Sequence, residues 1–280
     1  MNLTALPSNL RKYVRETDVG KRAWSWYTHQ RTSLYLLSFP KTGRTWLRLM
    51  MGKALADELH LDIDPMDLAR FYQHAKQLPR MRVTHDDNPQ LKRPDEVERD
   101  KTHYAGKDII FLVRDPRDTM ISYYFQASRR RDRFHGTPGE FLRHDVGSLD
   151  TIIAYYNVWA EARTIPRSFT LVRYEDLHKD PVTEVERCLR VVGTVPPRAV
   201  VEAAVEFSRF DNMRKLEAQA AKDAAARLKP GDAADTESFK TRKGKVGGFR
   251  EYLSPDEIAY LNERIASTLS PFYAEYLPPR

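Results

Sequence analysis

The chain has 280 residues, of which 41% are hydrophobic and 30% are charged, and this composition excludes a largely disordered protein. Lysine and arginine number 46 against 39 aspartate and glutamate residues, which gives a net charge of +7 at pH 7. A basic excess favours an anionic partner: a nucleic acid, an acidic membrane surface, or a phosphorylated or sulfated small molecule.

The cysteine content and the apolar runs predict a cytoplasmic protein. The single cysteine, Cys188, has no partner for an internal disulfide, which is typical of a reducing compartment. No apolar run approaches the roughly 18 residues of a membrane span. Residues 1–24 also lack the apolar core of a signal peptide, so we expect no integral membrane contact.

Residues 1–33 are polar, basic and aromatic, and they precede the first strand signal. We interpret them as an appendage of one or two short helices. Its aromatic residues Trp24, Trp26 and Tyr27 are expected to cover the core, because the segment has no long apolar face that would suit a membrane. Residues 34–275 are expected to form a single domain.

Three apolar segments of strand length are each followed by a helical pattern. The segments are residues 34–39, 108–113 and 168–172, and the helices start near residues 45, 117 and 181. Continuous apolar strands that alternate with helices predict an α/β fold, in which a central parallel sheet is flanked by helices on both faces. Residues 214–240 are rich in alanine and charge and contain Pro-Gly-Asp, which predicts a surface helix followed by a mobile loop.

The loop FPKTGRTW, residues 39–46, joins the first strand to its helix and is typical of a phosphate-binding turn. Backbone N–H groups at the start of the helix would form an anion cradle, to which Lys41 adds a charge and Thr45 a hydroxyl. An ordinary turn with a capping threonine explains the same pattern. The Walker A pattern fits poorly, because Ser38 and Arg44 stand where it has glycine and lysine, so a magnesium-dependent nucleotide kinase is a disfavoured alternative.

Two further basic segments suit an anion at the same edge of the sheet. Arg114 ends the second strand and Ser122 follows eight residues later, which can bring a guanidinium and a hydroxyl onto one anion. Pairing of Arg114 with Asp115 or Asp118 is the alternative. Residues 242–248, RKGKVGG, place three cations among glycines, as in a loop that closes over a polyanion, although a basic loop can also be simply solvated.

Together and in this order, the three segments resemble the PAPS-dependent sulfotransferases of the cytosolic and bacterial type. FPKTGRTW resembles the family's 5′-phosphosulfate loop PKSGTTW, RDPRDTMISYY its 3′-phosphate segment RNPRDxxVSYY, and RKGKVGG its RKGxxGDW element. The resemblance covers about residues 34–270 and implies a P-loop-NTPase-like three-layer sandwich. It implies in-line transfer of a sulfuryl group from 3′-phosphoadenosine 5′-phosphosulfate (PAPS) to a hydroxyl or amine of a small-molecule, lipid or sugar acceptor, with PAP as product and no metal.

The resemblance also assigns roles position by position. Lys41 would contact the bridging oxygen of the donor and stabilise the leaving phosphate, and Trp46 would stack on adenine. The donor-binding residues that it implies are Lys41, Thr42, Gly43, Arg44, Thr45 and Trp46 in the loop, Arg114, Ser122, Arg242, Lys243 and Gly244 at the 3′-phosphate, and Tyr174, Ser208 and Phe210 near adenine.

The catalytic base of this family is the histidine of a Lys-Thr-His sequence at a strand end. This chain offers Val-Thr-His ending at His85 and a literal Lys-Thr-His ending at His103. His103 lies only five residues before the strand at Asp108, which leaves almost no room for a strand of its own, whereas residues 86–107 follow His85. We therefore favour His85 as the base, which would take the proton of the acceptor hydroxyl. A surface histidine without a catalytic role is the alternative.

The chain departs from the family pattern at several positions. Arg44 stands where threonine is usual, and it adds a cation that could share the role of Lys41. Gly248 and Phe249 replace Asp-Trp, and residues 250–259 do not reproduce the dimer motif KxxxTVxxxE. We accordingly expect a monomer or a weak homodimer.

The arginine run at residues 128–133 raises the alternative of a basic nucleic-acid-binding module, although cations at a helix end have a plain electrostatic explanation. We expect no nucleic-acid partner. The walls of the acceptor site are expected in the loops 64–80, 86–106, 128–147 and 214–240. Their aromatic residues Phe71, Tyr72, Phe134 and Phe141 suit an apolar acceptor, and their arginines an acidic one.

Overall fold

Four parallel strands form the centre of the protein in the computed structural model, which describes residues 7–220 and 244–279. The strands are β1 (Leu34–Ser38), β2 (Met81–Thr84), β3 (Asp108–Val113) and β4 (Ser168–Arg173), and they lie in the order β2-β1-β3-β4. Because all four run in the same direction, their carboxyl ends meet at one edge of the sheet. Leu37 is level with Thr84 on one side and with Phe111 on the other, so the residues that follow these strands are neighbours.

Helices connect and cover the strands. They are α1 (Ser8–Glu16), α2 (Asp18–Arg31), α3 (Arg44–Glu58), α4 (Leu68–His74), α5 (Pro116–Phe125), α6 (Pro138–Phe141), α7 (Leu149–Ala162), α8 (Tyr174–Lys179), α9 (Pro181–Val192), α10 (Arg198–Phe207), α11 (Phe210–Ala220) and α12 (Pro255–Thr268). Residues 126–130 continue α5 as a π-helical turn. The predicted mobile loop lies mostly in residues 221–243, outside the described residues.

Side chains of the strands alternate between two apolar cores. Leu34, Leu36 and Ile110 pack with α3, α9 and α10 on one face of the sheet. Tyr35, Leu37 and Phe111 pack with α5, α7 and α12 on the other. Every residue of β1 is buried, as expected for a central strand covered on both faces. The predicted α/β architecture, a parallel sheet between two helical layers, is confirmed.

Helices α1 and α2 account for most of the amino-terminal segment. Tyr35 lies 2.5 Å from His29 of α2 through its hydroxyl, and Lys107 donates to the carbonyls of His29 and Gln30. The expectation that the aromatic residues of this segment cover the core is wrong for Trp26, which is 65% exposed.

The chain after β2 is held by a buried ion pair. Asp86 accepts from Lys101 at 2.7 Å, from the Tyr104 hydroxyl at 2.7 Å and from the Trp159 indole N–H at 3.1 Å. Both charged side chains are almost fully buried, and Asp86 has a left-handed backbone with φ +52°. The lysine of the literal Lys-Thr-His sequence therefore fixes the residue that follows His85.

Replacing Lys101 by methionine should destabilise the protein by about 3–5 kcal/mol, because the Asp86 carboxylate would stay buried without its counterion. The free energy of unfolding in urea measures this loss. Lys92→Met is the matched control, since Lys92 pairs with Asp87, which is about half exposed, and this change should cost no more than about 1 kcal/mol. Equal losses in the two variants would contradict the structural role of Lys101.

Candidate active site

A cleft of about 300 Å³ lies at the edge of the sheet where the carboxyl ends of β1, β2 and β3 meet. The predicted site residues that line it are Lys41, Gly43, Arg44, Thr45, Trp46, His85, Arg114, Ser122, Tyr174, Ser208, Phe210 and Gly244. Thr42 is buried behind the loop, where its hydroxyl donates to the Phe39 carbonyl at 3.0 Å. Arg242 and Lys243 lie outside the described residues.

The loop from β1 to α3 turns sharply at two residues. Lys41 and Gly43 have left-handed backbones, with φ of +73° and +95°. A Cβ atom at Gly43 would lie 2.5 Å from the Tyr174 ring, so only glycine fits this turn without displacing the ring. The turn leads directly into α3 and places the amino-terminal end of this helix at the cleft. Its unpaired N–H groups and its dipole favour an anion there.

His85 follows β2 and lies beside the end of β1. Its Nδ1 is 2.9 Å from the Ser38 carbonyl and must donate to it, so Nε2 carries the lone pair. That Nε2 lies 2.7 Å from Nη2 of Arg44, which donates to it. Desolvation by the surrounding protein, and then the positive charge of Arg44, lower the pKa of His85 to about 3, so the ring is neutral at neutral pH.

Arg44 is a cation with no carboxylate within 4 Å among the residues that the structure describes. Desolvation and the charge of Arg48 lower its pKa to about 10, which still leaves it protonated at neutral pH. Its Nη1 is buried and makes no hydrogen bond within the described part of the chain.

His103 lies elsewhere. It is exposed, its ring packs 4.2 Å from Tyr104 and 5.2 Å from His29, and it does not line the cleft. Of the two candidate bases, the structure brings only His85 together with the β1–α3 loop.

Arg114 is oriented by three partners. Its Nη2 donates to the Lys245 carbonyl at 2.7 Å and to Asp118 at 3.3 Å, and its guanidinium lies 4.3 Å from the centre of the Tyr174 ring. The pairing with Asp118 that the sequence left open is therefore present, whereas Asp115 pairs with Arg117 instead.

Asp118 is a residue of the site that the sequence interpretation missed. Its two carboxylate oxygens accept from the backbone N–H groups of Gly247 and Phe249, at 2.8 and 2.9 Å. It therefore ties the glycine-rich segment 244–249 to α5. The available signal was its position four residues after Arg114, in the first turn of the helix that follows β3.

Aromatic side chains form the far wall of the cleft. Trp46 donates its indole N–H to the Ser208 carbonyl at 2.9 Å, and its ring lies 6.1 Å from Tyr174. A Cβ at Gly244 would lie 3.0 Å from Phe210, so the segment passes close to this ring. The cleft is also lined by residues to which the sequence interpretation assigned no donor contact, namely Pro40, Ile121, Gln126, His178, Met213, Lys245, Gly248 and Phe249.

The expectation that Phe71 and Phe141 line the acceptor site is wrong. Both are fully buried, one in each core, because their short helices α4 and α6 turn these rings toward the interior. Tyr72 lies away from the cleft with its ring 4.1 Å from Arg80. In the arginine run, Arg130 lies 4.0 Å from the buried Glu217 of α11, so it links the π-helical turn after α5 to α11.

Within residues 7–220 and 244–279, no helix combines the length and the apolar character needed to cross a bilayer. The same residues contain no group of three or more histidine, cysteine, aspartate or glutamate side chains placed to hold a metal ion. Burial raises the pKa of the Cys188 thiol to about 12, so this cysteine is not a nucleophile at neutral pH.

Comparison with known proteins finds one family. A family model described as "Sulfotransferase domain" matches residues 31–272. The chain is similar to cytosolic sulfotransferase 17 of Arabidopsis thaliana, with 26% identity over 255 residues, 81% of this chain and 71% of the relative. It is also similar to flavonol 3-sulfotransferase of Flaveria bidentis, with 23% identity over 263 residues, 84% of this chain and 81% of the relative.

Two solved structures share the fold. Mouse sulfotransferase SULT7A1 complexed with PAP has a TM-score of 0.59 at 21% identity, over 85% of this chain and 84% of that one. Retinol dehydratase in complex with androsterone and PAP has a TM-score of 0.60 at 16% identity, over 85% and 80% of the two chains. This likeness confirms the predicted P-loop-NTPase-like fold.

The free energy of unfolding should depend on pH through His85. A free histidine titrates near pH 6.5 and folded His85 near 3, so between these values the unfolded state binds more protons. The stability that neutral His85 contributes is therefore complete above pH 6.5 and is lost as the pH falls toward 3, by at most about 1.4 kcal/mol per pH unit. Urea unfolding over this range measures the slope.

His85→Gln should show a flatter dependence of stability on pH than the wild type, because glutamine does not titrate. His103→Gln, which changes an exposed histidine outside the cleft, is the matched control and should keep the wild-type slope. An unchanged slope in His85→Gln would show that this ring does not remain neutral in the folded protein.

Proposed function

We propose that the cleft binds PAPS and that the residues lining it carry out the transfer of the sulfuryl group. The chain belongs to the sulfotransferase domain family and is therefore a sulfotransferase. The observation that carries the proposal is the convergence, in one cleft, of the β1–α3 loop, the anchored guanidinium of Arg114 and the neutral ring of His85. Two solved structures of the same fold are complexes with PAP, which supports a PAPS donor.

The polar atoms of the cleft fit such a nucleotide. Arg44 Nη1, Arg114 Nε and Ser208 Oγ are buried and make no hydrogen bond within the part of the chain that the structure describes. Buried polar groups in native proteins are nearly always paired, so these atoms are suited to the phosphate, sulfate and sugar oxygens of a ligand.

The 5′-phosphosulfate would lie at the amino-terminal end of α3. The backbone N–H groups after Gly43, the ammonium of Lys41 and the hydroxyl of Thr45 are the donors available there. Thr42 contributes through its backbone, because its side chain faces the interior.

The 3′-phosphate would lie between Arg114 and Ser122, next to Gly244. Asp118 and the Lys245 carbonyl already hold Arg114 in place, so little side-chain entropy is lost when it binds the phosphate. Arg242 and Lys243 remain sequence-based candidates for the same phosphate. The adenine would contact the aromatic wall of Trp46, Tyr174 and Phe210, a surface suited to a planar base.

In the transfer step the acceptor oxygen attacks sulfur as the bond between sulfur and the bridging oxygen breaks. His85 accepts the hydroxyl proton on Nε2, the nitrogen left basic by the hydrogen bond from Nδ1 to Ser38. The negative charge that develops on the leaving phosphate is stabilised by Lys41 and by the N–H groups of α3. No metal takes part in this proposal.

We propose that the acceptor group is a hydroxyl or amine of a small molecule, lipid or sugar. A relative named as a flavonol sulfotransferase supports an alcohol. The names of several cytosolic relatives support a cytoplasmic location. A monomer or weak homodimer without a nucleic-acid partner stays a prediction.

Incubation with PAPS carrying labelled sulfur and a panel of phenols, sterols, sugars and lipids should transfer the label to at least one acceptor without added magnesium. Calorimetry with PAPS alone measures donor binding separately from turnover. Absence of PAPS binding would contradict the proposal, and transfer that requires ATP and magnesium would favour the kinase alternative.

Arg114→Ala should weaken PAPS binding by roughly tenfold or more, because a charged hydrogen bond to phosphate is lost. His85→Gln should keep PAPS binding but lower turnover by about 10²–10⁴-fold, the range for loss of a general base. His103→Gln is the control and should behave as the wild type in both assays. Loss of turnover in His103→Gln instead would show that His85 is not the base.

A further inference from the structure

Arg44 occupies the nitrogen that the proposed base needs. A neutral imidazole has one donor and one acceptor nitrogen, and in His85 the donor Nδ1 already binds the Ser38 carbonyl. The acceptor Nε2 receives a hydrogen bond from Arg44 at 2.7 Å. While this contact persists, His85 cannot accept a proton from an acceptor hydroxyl.

The electrostatic surroundings of Arg44 favour its release to an anion. No carboxylate of the described chain compensates its charge, Arg48 adds repulsion, and the first turn of α3 places it at the positive end of a helix dipole. Its Nη1 is buried without a hydrogen bond. A cation in such a position is costly until an anion pairs with it.

A sulfate or phosphate group can form stronger hydrogen bonds with Arg44 than His85 does. The guanidinium presents parallel N–H groups that pair bidentately with sulfate or phosphate, and such charged pairs are stronger than a single hydrogen bond to a neutral ring. Arg44 lines the same cleft as Lys41 and Thr45, where the phosphosulfate of the proposed function would lie.

We propose that Arg44 is a positioning residue with two alternative partners, Nε2 of His85 without donor and the phosphosulfate group with donor. Donor binding draws the guanidinium from His85 and frees Nε2 for the acceptor hydroxyl, so the base becomes available only after the donor has bound. This inference rests on the proposed function, in which His85 is the base and PAPS the donor.

The hydrogen bond from Arg44 is the contact that His85 must lose before its Nε2 can accept a proton. Besides Arg44 of α3, His85 faces the Ser38 carbonyl of β1, and the buried Tyr155 hydroxyl of α7 lies near the guanidinium. None of these other groups competes for Nε2. The threonine that the family pattern has at position 44 is too short to make the same contact, so Arg44→Thr removes it with little change in the loop.

Nitrogen-15 NMR of the imidazole rings tests the exchange without turnover. His85→Gln assigns the His85 signals, and PAPS is added without any acceptor. In the wild type we expect the Nε2 signal of His85 to change from that of a hydrogen-bonded acceptor to that of a free lone pair on addition of PAPS. In Arg44→Thr the signal should already be at the free position, and PAPS should hardly move it.

Arg48→Gln is the matched control, since it removes a cation one turn further along α3 and leaves the contact with His85 intact. Its His85 signal should respond to PAPS as in the wild type. Wild-type signals that stay unchanged at saturating PAPS, or an Arg44→Thr signal identical to that of the donor-free wild type, would overturn the inference.

Kinetics give a second measurement. Arg44→Thr should raise the KM for PAPS by roughly tenfold or more, through loss of a charged contact, but should lower kcat far less than His85→Gln does. Arg44→Lys should restore part of the PAPS affinity. A KM for PAPS that is the same in Arg44→Thr as in the wild type would overturn the inference.

These outcomes separate the inference from the proposed function. If PAPS does not bind, or if His85→Gln keeps full turnover, the proposed function itself fails. If PAPS binds and His85→Gln is inactive, but the Nε2 signal of His85 in the wild type does not change on addition of PAPS, only the exchange of partners by Arg44 is contradicted.

Discussion

The arrangement of the cleft depends on the ring of Tyr174, which lies where β4 ends and α8 begins. The ring packs against the left-handed turn at Gly43, where it leaves no room for a side chain. It also contacts the guanidinium of Arg114, which lies 4.3 Å from the ring centre. Trp46 approaches it at 6.1 Å. The ring of Tyr174, which follows β4, thus fixes the loop after β1 and the arginine after β3 relative to each other. The parallel sheet brings all three to one edge.

Local patterns in the sequence predicted three of the four strands and the loop that follows β1, whereas the four-residue strand β2 has no continuous apolar run of its own. Buried strands such as β1 show as continuous apolar runs, and phosphate-binding turns carry their own residues. Contacts between distant segments had no such signal: Arg44 meets His85 across 41 residues, and Asp118 binds the N–H of Phe249 across 131. The errors concern burial, because the apolar character of Phe71 or Trp26 does not say which way a short helix turns its side chains.

The two threonine-histidine sequences show why chain geometry was more informative than a literal motif match. His85 follows a strand that pairs with β1, so its ring reaches the Ser38 carbonyl. The Lys-Thr-His at 101–103 leads into a short 3₁₀ turn, Thr102–Tyr104, and its lysine is buried against Asp86, the residue after His85. The literal motif supports the site through this ion pair, while its histidine lies outside the cleft.

Asp118 couples the orientation of Arg114 to the position of a backbone segment. Both of its oxygens bind N–H groups of the segment 244–249, and Arg114 binds the Lys245 carbonyl of the same segment. If the segment moves away from α5, Arg114 loses the carbonyl that orients it and Asp118 loses both of its backbone donors. If the proposed nucleotide binds at Arg114, its affinity and the docking of this segment on α5 are coupled, because both depend on the same contacts of Arg114 and Asp118.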